Sequence, residues 1–238
     1  MASFDLEVGA LEGEESTTEP SPIRVLIVDD HYALADSLGL AIDLERDMEC
    51  IGLAGTISQA LELVVGRRPD VVLMDVGLPD GDGIEGTAGI KAVRQETSVL
   101  VLTAHPNPRL MARAAEAGAS GFLRKEARVS EILRAIRLVM NGELSLDASA
   151  MRALINVVAK EPHKRAEARS PNLTAREREV LVLMVGGLGP KAIAARLGIG
   201  VSTCRGHVKA ILQKLGVHSQ LEAVAVATRE RLVPGHRG

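Results

Sequence analysis

Aromatic side chains are almost missing from these 238 residues: no tryptophan, one tyrosine and two phenylalanines. Any core must therefore be filled by Val, Leu, Ile and Ala. Cysteine is as scarce. Cys50 and Cys204 stand alone, with neither a CxxC nor a Cys/His zinc spacing, which excludes a zinc ribbon and a disulfide-stapled scaffold and makes a reducing cytoplasm the economical setting. No apolar run approaches the roughly 20 residues that cross a bilayer. The opening residues carry no Lys or Arg, which excludes the basic start of a secretory signal. GxxxxGK is absent too, and with it the phosphate cradle of a Walker-type ATPase.

What is present is unevenly distributed. Residues 1–21 hold six acids and no base, and being poor in large apolar residues they are predicted to be a disordered acidic tail. Residues 173–238 hold ten bases against four acids, a footprint suited to nucleic acid or, more blandly, a solvated basic surface. Between them, β-branched runs alternate with helical periodicity. Strands are predicted at 23–28, 48–54, 71–74, 98–103 and 120–123, and helices at 32–46, 57–66, 84–95, 108–117 and 129–140. Five such βα units imply a doubly wound parallel sheet of the flavodoxin-like type. One more helix is expected at 148–160. The charged, proline-bracketed stretch 161–172 reads as a linker.

The apolar strands end in carboxylates. Asp29 and Asp30 close the run from Ile23 to Val28, and Asp75 closes Val71-Val72-Leu73-Met74. Carboxyl ends of parallel strands are where open α/β sheets place ligands. Three carboxylates meeting there would repel one another unless a hard cation such as Mg²⁺ sat among them. The turn Leu78-Pro79-Asp80-Gly81-Asp82-Gly83 reads as a loop with solvated acids.

The C-terminal part reads as all-helical. Thr174 and Glu177 form a capping box, Pro190 opens a short helix ending near Gly198, Ser202 or Thr203 opens a third helix, and Ser219 caps a fourth. A short helix, a tight turn and a second helix match helix-turn-helix layout. In the third helix, Cys204, Val208, Ile211, Leu212 and Leu215 should face the core. Ser202, Arg205, Gly206, Lys209 and Gln213 then face outward. The fourth helix, with Leu221 to Ala227, carries more apolar surface than a small trihelical core can bury.

These motifs resemble a known family at both ends. VLIVDDH (25–31), VVLMDVGLPDGDG (71–83), VLVLTAH (99–105) and GFLRK (121–125) resemble the receiver domain of bacterial two-component response regulators over residues 22–142. LTAREREVL (173–181), KAIAARLGI (191–199), HVKAILQKLGV (207–217) and AVAVA (223–227) resemble the LuxR-type helix-turn-helix of the NarL/FixJ group. The resemblance implies an acidic tail at 1–21, a receiver at 22–145, a helix and linker at 146–172, and a four-helix DNA-binding domain at 173–238. It implies Asp75 as the phosphorylated residue, with Mg²⁺ on Asp29, Asp30, Asp75 and the Gly77 carbonyl. Thr103 and Lys125 would hold the phosphoryl group, and Phe122 would occupy the switch-aromatic position without the Tyr hydroxyl of many relatives. Lys191, Ser202, Thr203, Arg205, Gly206, His207 and Lys209 would contact DNA, Arg205 and Lys209 within the major groove.

The resemblance further implies a cytoplasmic transcription regulator rather than an enzyme, beyond accepting phosphate and losing it again. Its implied partners are a sensor histidine kinase, promoter DNA, a second copy through the last helix, and RNA polymerase, with no membrane involved. Two alternatives stay open: a DNA-binding regulator gated by a ligand or a partner instead of phosphate, and an aspartyl-nucleophile phosphatase, which the short loops leave without a substrate cap.

Overall fold

The computed structural model describes residues 21–146, 148–160 and 172–233. The acidic tail (1–20) and most of the linker (161–171) lie outside the described residues. The chain runs β1 (Ile23–Val28), α1 (Tyr32–Asp43), β2 (Met48–Ala54), α2 (Ile57–Arg67) and β3 (Val71–Asp75). A short hairpin of β4 (Gly77–Leu78) and β5 (Gly81–Asp82) follows, then α3 (Gly83–Val93), β6 (Ser98–Thr103), α4 (Pro108–Glu116), β7 (Gly121–Arg124) and α5 (Val129–Met140). Five of these strands pair in parallel in the order β2-β1-β3-β6-β7.

Strand alternation sorts the aliphatic side chains onto two faces. Val25, Ile27, Leu73, Leu100 and Leu102 pack with Leu38 and Ile42 of α1 and with Ile132 and Ile136 of α5. Leu26, Val28, Val72, Met74 and Val101 pack on the other side with α2, α3 and α4. Each fully buried Leu, Ile or Val stabilises the fold by about 1.5–3 kcal/mol, so aliphatic residues alone suffice for this core.

Three local features differ from the sequence expectation. Helix α1 stops at Asp43, and Arg137 of α5 ion-pairs with Glu45 and Asp47 just beyond it. The acids of the 78–83 turn are structural rather than merely solvated. Asp80 accepts the N–H groups of Ile57 and Ser58 at the start of α2. Asp82 accepts the Ile84 N–H at the start of α3 and pairs with Arg113 at 2.7 Å. The last strand lies one residue later, at Gly121–Arg124.

The second domain follows α6 (Ala148–Val158) and comprises α7 (Ala175–Val185), α8 (Pro190–Leu197), α9 (Val201–Leu215) and α10 (Gln220–Arg229). The Thr174–Glu177 capping box forms as the spacing predicts, and Ser219 caps α10. Helix α9 starts at Val201 behind Gly200, ahead of Ser202 and Thr203, with no side-chain cap.

The two domains are docked on each other. Met111, Ala112 and Ala115 of α4 share one core with Met151 and Leu154 of α6 and with Leu221 and Val224 of α10. The apolar excess of α10 is thus covered by α4 and α6 of the same chain. Ser219 Oγ donates to the Ala119 carbonyl at 2.7 Å, and the Gln220 side-chain amide donates to the Gly142 carbonyl. Ser145, in the segment entering α6, adds a single parallel bridge to Gly121 of the outer strand. A Cβ on Gly121 would lie 2.6 Å from Leu100 Cδ2 and 2.8 Å from Ser145 Cβ, so glycine is what lets the linker reach the sheet.

Candidate functional site

The switch in strand order beside β1 brings four strand ends together in one cleft. Asp29 and Asp30 follow β1, Asp75 ends β3, Thr103 ends β6, and Lys125 follows β7. Asp29, Asp75 and Thr103 are buried. Lys125 Nζ lies 2.6 Å from Asp75 Oδ2 and 2.9 Å from Asp29 Oδ2. His31, Asp75, Gly77, Thr103, His105 and Lys125 line the opening, a cleft of about 510 Å³.

The electrostatics of the cleft are unbalanced. Burial pushes the Asp75 carboxyl above the usual aspartate range, and the Asp29 charge adds to this, against the opposing pull of Lys125. Burial also disfavours the Lys125 ammonium, yet its bonds to Asp75 and Asp29 outweigh that and raise its pKa. Three carboxylates therefore face one dedicated ammonium. Asp29 Oδ2 and Asp30 Oδ1 are shielded from solvent, the first facing Lys125 Nζ and the second His31 Nδ1, each at 2.9 Å. Three carboxylates gathered beside one ammonium are an oxygen donor set that fits a divalent cation.

The nucleophile position is tightly buttressed. The β4–β5 hairpin returns the chain so closely that a Cβ on Gly83 would sit 1.8 Å from the Asp75 carbonyl oxygen. Gly83 N–H donates to the Val76 carbonyl, and Val76 N–H to that of Leu102. Thr103 Oγ1 accepts the His105 N–H at 3.2 Å. Phe122 is buried in the core shared with α4 and α6, and its N–H donates to Ser145.

In the second domain, Cys204, Val208 and Ile211 are buried, whereas Ser202, Thr203, Arg205, Gly206 and Lys209 are exposed; Leu212, Leu215 and His207 are intermediate. Lys191 on α8 is exposed too. Among the described residues nothing outside its own helix backbone lies within 4 Å of where a Gly206 Cβ would be, so no packing among them requires glycine there. The face is not free, however. Arg205 Nη2 donates to Asn141 Oδ1 at 3.2 Å, and Arg205, Lys209 and Leu212 share a cleft of about 320 Å³ with residues 139–143, the end of α5 and the turn beyond it.

Comparison with known proteins agrees with this two-part build. The family model described as "Response regulator receiver domain" matches residues 25–137, and that described as "Bacterial regulatory proteins, luxR family" matches residues 171–227. The chain is 35% identical over 218 residues to the probable transcriptional regulatory protein NarL of Mycobacterium tuberculosis, covering 92% of this chain and 99% of that one. The chain belongs to the NarL/FixJ response regulators. This response regulator is also 34% identical over 202 residues to the transcriptional regulatory protein DesR of Bacillus subtilis, covering 85% of this chain and 94% of that one. A crystal structure of a LuxR-family two-component response regulator from Aurantimonas sp. SI85-9A1 superposes with a TM-score of 0.54 at 27% identity, covering 58% of this chain and 98% of that one. It is accordingly a DNA-binding transcription regulator of the two-component type, and among the described residues no helix is long and apolar enough to cross a membrane.

Two participants escape a reading of the sequence. His31 joins the carboxylate cluster, its Nδ1 2.9 Å from Asp30 Oδ1 and 3.1 Å from Asp29 Oδ1; its place directly after the two aspartates was the only signal. Asn141 meets Arg205 across 64 residues of sequence, and no local pattern marks that contact.

Proposed function

We propose that this response regulator accepts a phosphoryl group on Asp75 from a cytoplasmic sensor histidine kinase and thereby controls promoter binding by α9. The observation that carries this reading is the convergence from four strand ends of Asp75, Thr103 and Lys125, which line one cleft, with Asp29 and Asp30 clustered against Asp75. An Asp75 carboxylate oxygen attacks phosphorus, the P–N bond of the kinase phosphohistidine breaks, and the imidazole leaves with a proton. Buttressing by Gly83 holds Asp75 for this attack, and Lys125 shifts its ammonium from the carboxylate to the new phosphoryl oxygens. Asp29, Asp30, Asp75 and the Gly77 carbonyl would hold Mg²⁺, which neutralises charge building on the phosphoryl group.

The docked arrangement is the resting state in this reading. Arg205 is engaged by Asn141, and α10 is covered by α4 and α6. Phosphate on Asp75 draws Thr103 Oγ1 from the His105 N–H, disturbing the β6–α4 connection on which that docking rests. Released, Arg205 and Lys209 read bases, while Lys191, Ser202, Thr203 and His207 position the phosphate backbone, and Gly206 lets the helix approach closely. The freed face of α10 then pairs with a second copy, and the bound dimer acts on RNA polymerase.

A second reading attaches to the cleft of about 830 Å³ lined by Phe122, Arg134, Glu143, Leu146 and Gly187 between the domains. A small ligand there would touch both the switch aromatic and the turn between α7 and α8 without any phosphate. Acetyl-phosphate labelling with Mg²⁺, run with sedimentation on wild type and Asp75→Ala, separates the two. Acid-labile phosphate on wild type only, with a shift to dimer, supports phosphorylation control; a folded wild type that takes no label favours the ligand.

A further inference from the structure

The exposed basic face of α8 and α9 is short of acidic partners. Lys191, Arg205 and Lys209 are exposed, and among the described residues no carboxylate forms an ion pair with any of them. Acids of the second domain are engaged elsewhere: Glu177 on Lys214, Glu179 on Arg176 and Glu222 on the His218 N–H. Glu143 lines the cleft that holds Arg205 and Lys209 without pairing to either. Residues 1–20 carry the opposite imbalance: Asp5, Glu7, Glu12, Glu14, Glu15 and Glu19, and no base. Resting on the reading of α9 as the DNA face, we propose that this acidic segment docks on Arg205 and Lys209 of its own chain in place of DNA phosphates, and so competes with DNA.

Topology brings the two together. Strands of a parallel sheet all start at one edge, and the acidic segment joins that edge at Ile23, through the exposed Ser21 and Pro22. Val25 is level with Val71, and Val71 with Ser98, so Ile23 lies at the same edge as the start of β6 and slightly beyond it. Ser98 and Ser120, both at that edge, line the cleft that holds Arg205 and Lys209. Only β3 separates β1 from β6. With strands about 4.8 Å apart, β1 and β6 are roughly 10 Å apart across the sheet. A chain extends up to about 3.3 Å per residue, so the stretch from Ile23 back to Glu15 spans up to roughly 26 Å, enough to cross that gap. Glu12, Glu14 and Glu15 bring three charges close together, as neighbouring phosphates do. Each exposed ion pair is weak and screened by salt, but a tether holds the carboxylates near their partners at a local concentration on the order of millimolar.

The test starts from the full wild-type chain. A water-soluble carbodiimide joins a carboxylate to an amine in ion-pair contact, and mass spectrometry locates the resulting amide. Links from acids of 1–20 to Lys209 are expected, and within one chain when ¹⁴N- and ¹⁵N-labelled proteins are mixed. A saturating mixed-sequence DNA duplex should suppress them. Changing Asp5→Asn and the five glutamates to Gln should raise the affinity of the unphosphorylated protein for that duplex by about tenfold at low salt, the gain shrinking as salt rises. Absence of a link to Lys209, as docking on the exposed Arg46 or Arg68 would leave, overturns the proposal even if affinity rises, since net charge alone could raise it. Links only between differently labelled chains, links that persist on saturating DNA, or an unchanged affinity in the neutralised chain overturn it as well. If neither chain binds the duplex at low salt, the DNA-face reading fails and the competition with it, while the link to Lys209 still decides whether the segment docks.

Discussion

The two ends of this response regulator solve their tasks in opposite ways. The receiver cleft assembles charged groups, Asp29 and Asp75 buried and Lys125 half-buried, from positions far apart in the chain, and its geometry is a property of the whole sheet. The proposed DNA face is drawn mainly from one helix, α9, whose core side is set by Cys204, Val208 and Ile211 and whose Ser202, Thr203, Arg205 and Lys209 are exposed. A convergent buried site can be made selective for a small phosphoryl donor and a cation, because little else fits. An exposed helical face cannot be switched off by its own structure, so it has to be covered. In the proposed resting state the receiver and the following helix α6 provide the cover, through Asn141 on Arg205 and through α4 and α6 on α10.

The contrast is broken most completely at Asp75. Asp75→Asn should abolish acid-labile phosphate incorporation altogether while leaving unphosphorylated DNA binding at its wild-type level, measured by labelling and by fluorescence anisotropy. Arg205→Ala should do the reverse. Labelling persists, and specific DNA affinity falls by about 1–3 kcal/mol, or about five- to 150-fold, the range for one bidentate base contact. A labelling defect in Arg205→Ala would show that the two ends are not separable.

The cover itself is sharpened by Gln220→Ala, which removes the side-chain donor to the Gly142 carbonyl. Loss of about 1 kcal/mol from the docked state should raise DNA affinity of the unphosphorylated protein several-fold at most, with little change once it is phosphorylated. The smallest effect is internal to the second domain. Bonds from Lys214, then from the Thr174 N–H, hold the Glu177 carboxyl below its ordinary value of 4.5. A lowered carboxylate stabilises the fold above its unfolded pKa, and that stability is lost as pH falls through the folded value. Glu177→Gln should therefore lower the melting temperature of this domain by a few degrees at pH 7, the effect shrinking below about pH 4.5. Thermal melts at the two pH values check this.

Much of the fold was legible because its signals are local. Alternation along β1, β3 and β6 sets the two core faces, and a strand that ends in Asp delivers that Asp to the sheet's carboxyl edge. Asp29, Asp30 and Asp75 could thus be grouped from spacing, while Thr103 and Lys125 needed the resemblance to join them. What stayed hidden depends on contacts between distant segments. Asp80 and Asp82 look like loop acids until α2 and α3 are seen to start on them. Gly200 displaces Ser202 and Thr203 as the start of α9 because backbone direction, not hydroxyl content, decides the cap. The apolar stripe of α10 was visible, but its partner in this state, α4 of the same chain, was not.

Hydrogen exchange on the full chain, with and without acetyl phosphate and Mg²⁺, addresses the coupling between the two ends most directly. If phosphate on Asp75 lifts the receiver off the DNA-binding domain, amides in 139–146, α4 and α10 lose protection on wild type and do not change on Asp75→Ala. Phosphorylated wild type with unchanged protection across those segments would mean the cover is not under the control of Asp75.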